Sequence, residues 1–67
     1  MIVVGACRCN GSVTIKEPEA AVADMRRHMD EEHPGEPLEA WVSFRHRGVE
    51  IPAGTIVGTD GQWRILA

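Results

Sequence analysis

The chain's only two cysteines, Cys7 and Cys9, stand one residue apart near its start, and two of its three histidines, His28 and His33, follow downstream. Cys-x-Cys, eighteen residues, then His-x4-His supplies four soft sulfur and nitrogen ligands, the complement of a structural zinc site. This pattern constrains the fold more than any other feature. A single domain of 67 residues lies near the lower limit at which a hydrophobic core holds a fold unaided. Chains of that size usually need a staple: a disulfide, a metal or a partner subunit. A Cys7–Cys9 disulfide would close a tight, strained ring. An intermolecular disulfide stays open as an alternative, but a metal is the better staple. Taken singly, each of these residues reads as a small buried cysteine or a solvated histidine. The four together, in this order, read as one zinc site. His46, between Arg45 and Arg47, is a further candidate ligand, read first as an exposed strand residue.

The local pattern places these ligands on elements. Ile2 to Ala6 is an apolar, β-branched run, and Val13-Thr14-Ile15 alternates with polar neighbours, with Cys7-Arg8-Cys9-Asn10-Gly11 between them. Asn-Gly is a strong hairpin-turn signal, so residues 2–16 are expected to form a β-hairpin with both cysteines at its turn. Residues two apart on a strand share a face, so both thiols can point the same way. Glu17-Pro18-Glu19 then opens a helix, with proline in the first turn and early acids complementing the dipole. Ala21, Val22, Met25, His28 and Met29 fall on one side of it, and Ala23, Asp24, Arg26, Arg27, Asp30 and Glu31 on the other. Pro34-Gly35 ends the helix and leaves His33 in its last turn. On an ideal helix His28 and His33 lie ~140° apart, so they converge only if that turn tightens or unwinds. Ala40 to His46, Val49 to Ile51, Thr55 to Val57 and Gln62 to Leu66 read as short strands of a meander, broken at Pro52-Ala53-Gly54 and Asp60-Gly61.

Hairpin, cysteines at its turn, then a helix bearing two histidines: this order resembles the two-Cys, two-His zinc finger over about residues 2–34, roughly half of the chain. The spacing is atypical. One residue separates the cysteines here, against about two to four in the family, and the eighteen-residue middle segment exceeds the family's ~12. The resemblance implies one structural zinc ion held by Cys7, Cys9, His28 and His33, clamping helix to sheet over a core of Val3, Val13, Ile15, Val22, Met25 and Met29. The fold class expected for the whole is α+β: one small domain over 1–67, with a β-β-α half (1–34) followed by a β-rich half (38–67).

What the site would do follows from its ligand count. Four protein ligands leave no vertex for water, so the expected role is structural and not enzymatic. No His-Glu-x-x-His or deaminase motif is present, and a cysteine nucleophile would lack an orienting acid and an oxyanion hole. Charge bears on nucleic acid, which the resemblance implies first. The net charge of −3 is uneven: residues 17–39 carry eight acids against Arg26 and Arg27. Pro18-Glu19-Ala20-Ala21-Val22-Ala23-Asp24 offers no side chain suited to reading bases, and phosphates would repel it. Contact with nucleic acid is therefore expected only through sheet residues, with Arg8, Lys16, Arg45, Arg47 and Arg64 as candidates. The alternative for them is solvated strand arginines.

Interaction with an as yet unidentified protein partner is the leading expectation, with Arg8, Arg45, Arg47 and Arg64 as candidate contacts. Trp41, Phe44 and Trp63 are assigned to the core of the β half. Both faces of the first strand are apolar, so self-association into a homo-oligomer is a further expectation. No apolar run approaches a membrane span of ~20 residues, and Met1 to Ala6 carries no basic leader, which suggests a cytoplasmic protein. Six arginines to one lysine, and no tyrosine, suggest an actinobacterial or phage source.

Overall fold

In a computed structural model, residues 2–52 and the strands at 55–57 and 63–65 are described. The chain runs β1 (Val3–Cys7), β2 (Val13–Lys16), α1 (Pro18–Glu32), α2 (Leu38–Trp41), β3 (Val42–His46), β4 (Val49–Ile51), β5 (Thr55–Val57) and β6 (Trp63–Ile65). This is the expected α+β arrangement of hairpin, helix and further antiparallel strands. β1 to β4 form one antiparallel sheet in the order β2-β1-β3-β4, and β5 pairs with β6 separately. The second half thus extends the hairpin's own sheet: β3 pairs along β1, with Gly5 opposite Phe44 and Cys7 opposite Val42.

α1 covers one face of this sheet. Pro18 occupies its first turn, where no intrahelical N–H is needed, and Glu19 meets the positive end of the dipole. Ala21, Val22, Met25 and Met29 are buried from the helix, as the apolar stripe requires, against Val3, Cys7, Val42, Phe44 and Ile51 of the sheet. Gly5 is what lets Phe44 lie flat across β1. A Cβ there would sit 2.8 Å from the Phe44 ring and 3.1 Å from the Thr14 methyl.

Three expectations need correction. Val13 and Ile15 are not core residues; they are 63% and 65% exposed, and Thr14 is buried in their place. The cause is parity. An even number of residues separates each paired position, so odd positions of β1 face even positions of β2: Gly5 opposes Thr14, and Val4 opposes Ile15. Asn10-Gly11 is also not the centre of a two-residue turn. The Asn10 N–H donates to the Cys7 carbonyl (3.0 Å), so the turn centres on Arg8-Cys9, and Asn10 takes the left-handed conformation at φ 60° that leads out of it. Third, Trp41 closes α2 instead of lying in a strand; it packs half-buried on the edge of the core. The side chains of Trp63 and Arg64 and the Asp60-Gly61 break lie outside the described residues. Among the described residues, no helix is long and apolar enough to cross a membrane.

Candidate metal centre

Cys7, Cys9, His28 and His33 each bring one ligand atom to a common point, all four lying within 4.8 Å of one another. Cys7 Sγ is 3.6 Å from His33 Nε2, and Cys9 Sγ is 3.4 Å from His28 Nε2. A tetrahedral zinc ion with Zn–S about 2.3 Å and Zn–N about 2.05 Å requires a sulfur–nitrogen edge of about 3.6 Å. These two cross-element distances match the sulfur–nitrogen edges of a tetrahedral S2N2 site. The donor set, two thiols and two imidazoles, is that of a closed structural zinc centre.

Each ligand owes its position to local backbone chemistry. Cys7 is the last residue of β1 and points under α1, its face fixed by alternation from Val3 and Gly5. Cys9 reaches the same point from the turn rather than from a strand, because the Cys7–Asn10 turn folds it back over the end of β1. The Gly11 N–H donates to Cys9 Sγ at 3.3 Å, a hydrogen bond suited to a thiolate. His28 stands on the regular helix. His33 is the C-cap residue, with φ −133° and ψ 56°, while its N–H still donates to the Met29 carbonyl. That departure from helical geometry brings the two imidazoles to a centroid separation of 5.1 Å. The unwinding has a cause in the next residues. The His33 carbonyl accepts from Glu36 N–H, and Pro34 followed by Gly35 at φ 83° forms the turn between them.

The site is asymmetric in burial: Cys7 is buried, Cys9 is exposed, and the two histidines are intermediate. Desolvation pushes the Cys7 thiol above its ordinary value, the Cys9 backbone N–H opposing and the Cys9 side chain adding to the rise. Metal binding must then displace a proton from Cys7.

A layer of aromatic and cationic groups surrounds His33. Trp41 stacks on its ring with centroids 4.2 Å apart and an interplanar angle of 22°. The Arg8 guanidinium carbon lies 4.0 Å from the Trp41 ring centroid. Arg8 also donates to the Ala40 carbonyl at 3.3 Å, and Trp41 Nε1–H to Glu36 at 3.2 Å. Trp41, expected in the core, packs at its edge and also stacks on His33, and Arg8, expected as a contact residue, reaches the same cluster through Trp41. A signal existed in the adjacency of Arg8 to both cysteines, but Trp41 depends on the path of residues 34–40 and on β1–β3 pairing.

The other candidates are elsewhere. His46 is not in the cluster; its Nδ1–H donates to the Ile2 carbonyl at 3.1 Å. Arg45 is on the sheet opposite Glu50, and Arg47 takes a left-handed turn conformation at φ 52°. Searched against protein-family models, curated proteins and solved structures, the chain matches none of them.

Proposed function

We propose that this chain is a small zinc-stabilised, non-enzymatic protein-interaction module. The convergence of Cys7, Cys9, His28 and His33 on one point, with tetrahedral S–N edges, carries the reading. Four protein ligands complete the coordination of zinc, so the ion acts as a clamp between the β1–β2 turn and the end of α1, and its binding energy becomes folding energy. The clamp holds rigid a sheet with one helix-covered face and one face bearing Val4, Val13 and Ile15 in the open, a surface suited to a partner.

Nucleic acid has less to draw on. Arg8 is engaged by Trp41 and the Ala40 carbonyl, Arg45 faces Glu50, and the helix is acidic. Native mass spectrometry with and without chelator tests the metal: one zinc ion per chain is expected, with unfolding on its removal, and a metal-free chain that stays folded with reduced thiols refutes the reading. A salt-dependent gel shift with nonspecific DNA tests the role. No shift is expected; a shift abolished by Arg45→Glu with Arg47→Glu would replace the protein partner with nucleic acid.

A further inference from the structure

The outer strand of the sheet is where a partner can attach. β2 has β1 on one side and, among the described residues, no strand on the other. Which of its backbone groups face outward follows from one hydrogen bond. Cys7 N–H donates to the Ser12 carbonyl at 3.1 Å, so Cys7 and Ser12 form a hydrogen-bonded pair. In an antiparallel ladder such pairs alternate. Gly5 with Thr14 and Val3 with Lys16 are then bonded pairs, while Ala6 with Val13 and Val4 with Ile15 are not. Val13 and Ile15 therefore turn their N–H and C=O groups away from β1, presenting two donors and two acceptors at an open edge.

The two sides of that edge differ in chemistry. On one side lie the exposed side chains of Val13 and Ile15, next to Val4. On the other, a groove between β2 and α1 has Thr14, Asp24, Arg27, Glu31 and Glu32 among its lining residues, and Val13 also borders it. Asp24 is already held by Thr14, Lys16 and Arg27. Glu31 and Glu32 remain as the groove's uncompensated charge among the described residues.

Building on the protein-interaction reading, we propose that β2 docks an extended partner segment by strand addition, and that the segment alternates apolar and basic residues. Residues bonded to Val13 and Ile15 share their face and are apolar; the residues between them face the groove and carry Lys or Arg. A second copy of this chain fits less well. Its own α1 would arrive beside the first, and residues 17–39 carry eight acids against two arginines in each copy.

The test titrates the isotope-labelled, zinc-loaded full chain with a blocked Lys-Val-Lys-Val-Lys peptide and follows backbone amides by NMR. Shifts are expected at Val13 and Ile15 and along the groove. Ile15→Pro removes an outward N–H while sparing every bond to β1, and is expected to weaken binding about tenfold. A Glu-Val-Glu-Val-Glu peptide is expected to bind at least about tenfold more weakly, with that preference reversed in the Glu31→Lys, Glu32→Lys double variant. Shifts centred away from β2, equal binding of the two peptides, or Ile15→Pro binding as the parent does would overturn the proposal. So would concentration-dependent shifts of Val13 and Ile15 without peptide, which would mark self-pairing. Zinc content read on the same samples keeps the two ideas apart: a zinc-loaded chain that ignores the peptide sinks the docking edge alone, and a chain without zinc sinks the metal reading.

Discussion

His28→Ala is the substitution that reads the metal centre most cleanly. His28 pairs with Cys9 on the exposed half of the site, while Cys7 and His33 form its inner half. Removing His28 takes away a ligand without opening the core, because the buried helix residues are Ala21, Val22, Met25 and Met29 beside Pro18. Structural zinc binding in small domains releases about 10–16 kcal/mol at neutral pH. Shared over four ligands, that is about 2.5–4 kcal/mol each, or a ~10²–10³-fold loss of affinity. Water can fill the vacated vertex from the exposed side, so the variant should still bind a tetrahedral metal, only more weakly.

Cys7→Ala should behave differently. It removes a ligand of similar worth and also empties a buried position facing α1, adding about 1 kcal/mol of lost packing. Competition against a chromophoric chelator gives the zinc affinities, cobalt(II) absorption gives the geometry, and thermal unfolding of the loaded proteins gives stability. The ordering expected is parent, then His28→Ala, then Cys7→Ala in melting temperature, with tetrahedral cobalt absorption kept in His28→Ala. If His28→Ala binds zinc within threefold of the parent (a difference of about 0.7 kcal/mol), the four-ligand assignment fails.

Other residues give independent tests. Gly5→Ala forces a Cβ to 2.8 Å from the fully buried Phe44 ring; a loss of about 1–3 kcal/mol is expected in thermal melts, and an unchanged melt would mean that the ring yields freely. Trp41→Ala removes the stack on His33 and should weaken zinc affinity about 10-fold or more in the same chelator competition. Asp24 is held below its ordinary carboxyl value of 3.8, first by Lys16 and then by Thr14, with desolvation opposing. A depressed folded-state value means a contribution present above the unfolded value and lost as pH falls through the folded one. The difference in urea midpoint between the parent and Asp24→Asn should therefore shrink on acidification below about pH 4, and a pH-independent difference would contradict the ion-pair account.

The clustering of Cys7, Cys9, His28 and His33 was legible because sulfur and imidazole are scarce in this chain and because hairpin and helix patterns each place their pair. The convergence of His28 and His33 was legible as a requirement: their ideal separation around the helix demanded unwinding, and Pro34 sat where unwinding could occur. What the sequence hid depended on counts and paths rather than on residue type. Whether Val13 and Ile15 or Thr14 face inward turns on an even number of residues separating the paired positions of the two strands. Asn10-Gly11 drew attention away from the turn that actually forms, since a left-handed Asn is as useful leaving a turn as inside one. Trp41 could not be placed because its contact partner, His33, lies across a connection that only β1–β3 pairing fixes.

These hidden features meet at one corner of the molecule. β1 ends there at Cys7, α1 is capped by His33 and α2 ends at Trp41, and the side chains of these three end residues meet. Element ends carry unpaired polar groups and little apolar surface, so hydrophobic packing is weakest where the chain most needs closure. The buried core lies behind Cys7, under the body of the helix, and Cys9 on the far side is exposed to solvent. A metal at that point would join the ends that packing cannot. The same closure would fix β2, since Cys7 opens the turn from which it departs and Cys9 lies within that turn. Loss of zinc should therefore disorder the docking edge together with the corner, so binding of the Lys-Val-Lys-Val-Lys peptide should vanish on chelation in step with loss of the Cys9 and Gly11 amide signals. Peptide binding that survives complete removal of zinc would uncouple the edge from the clamp.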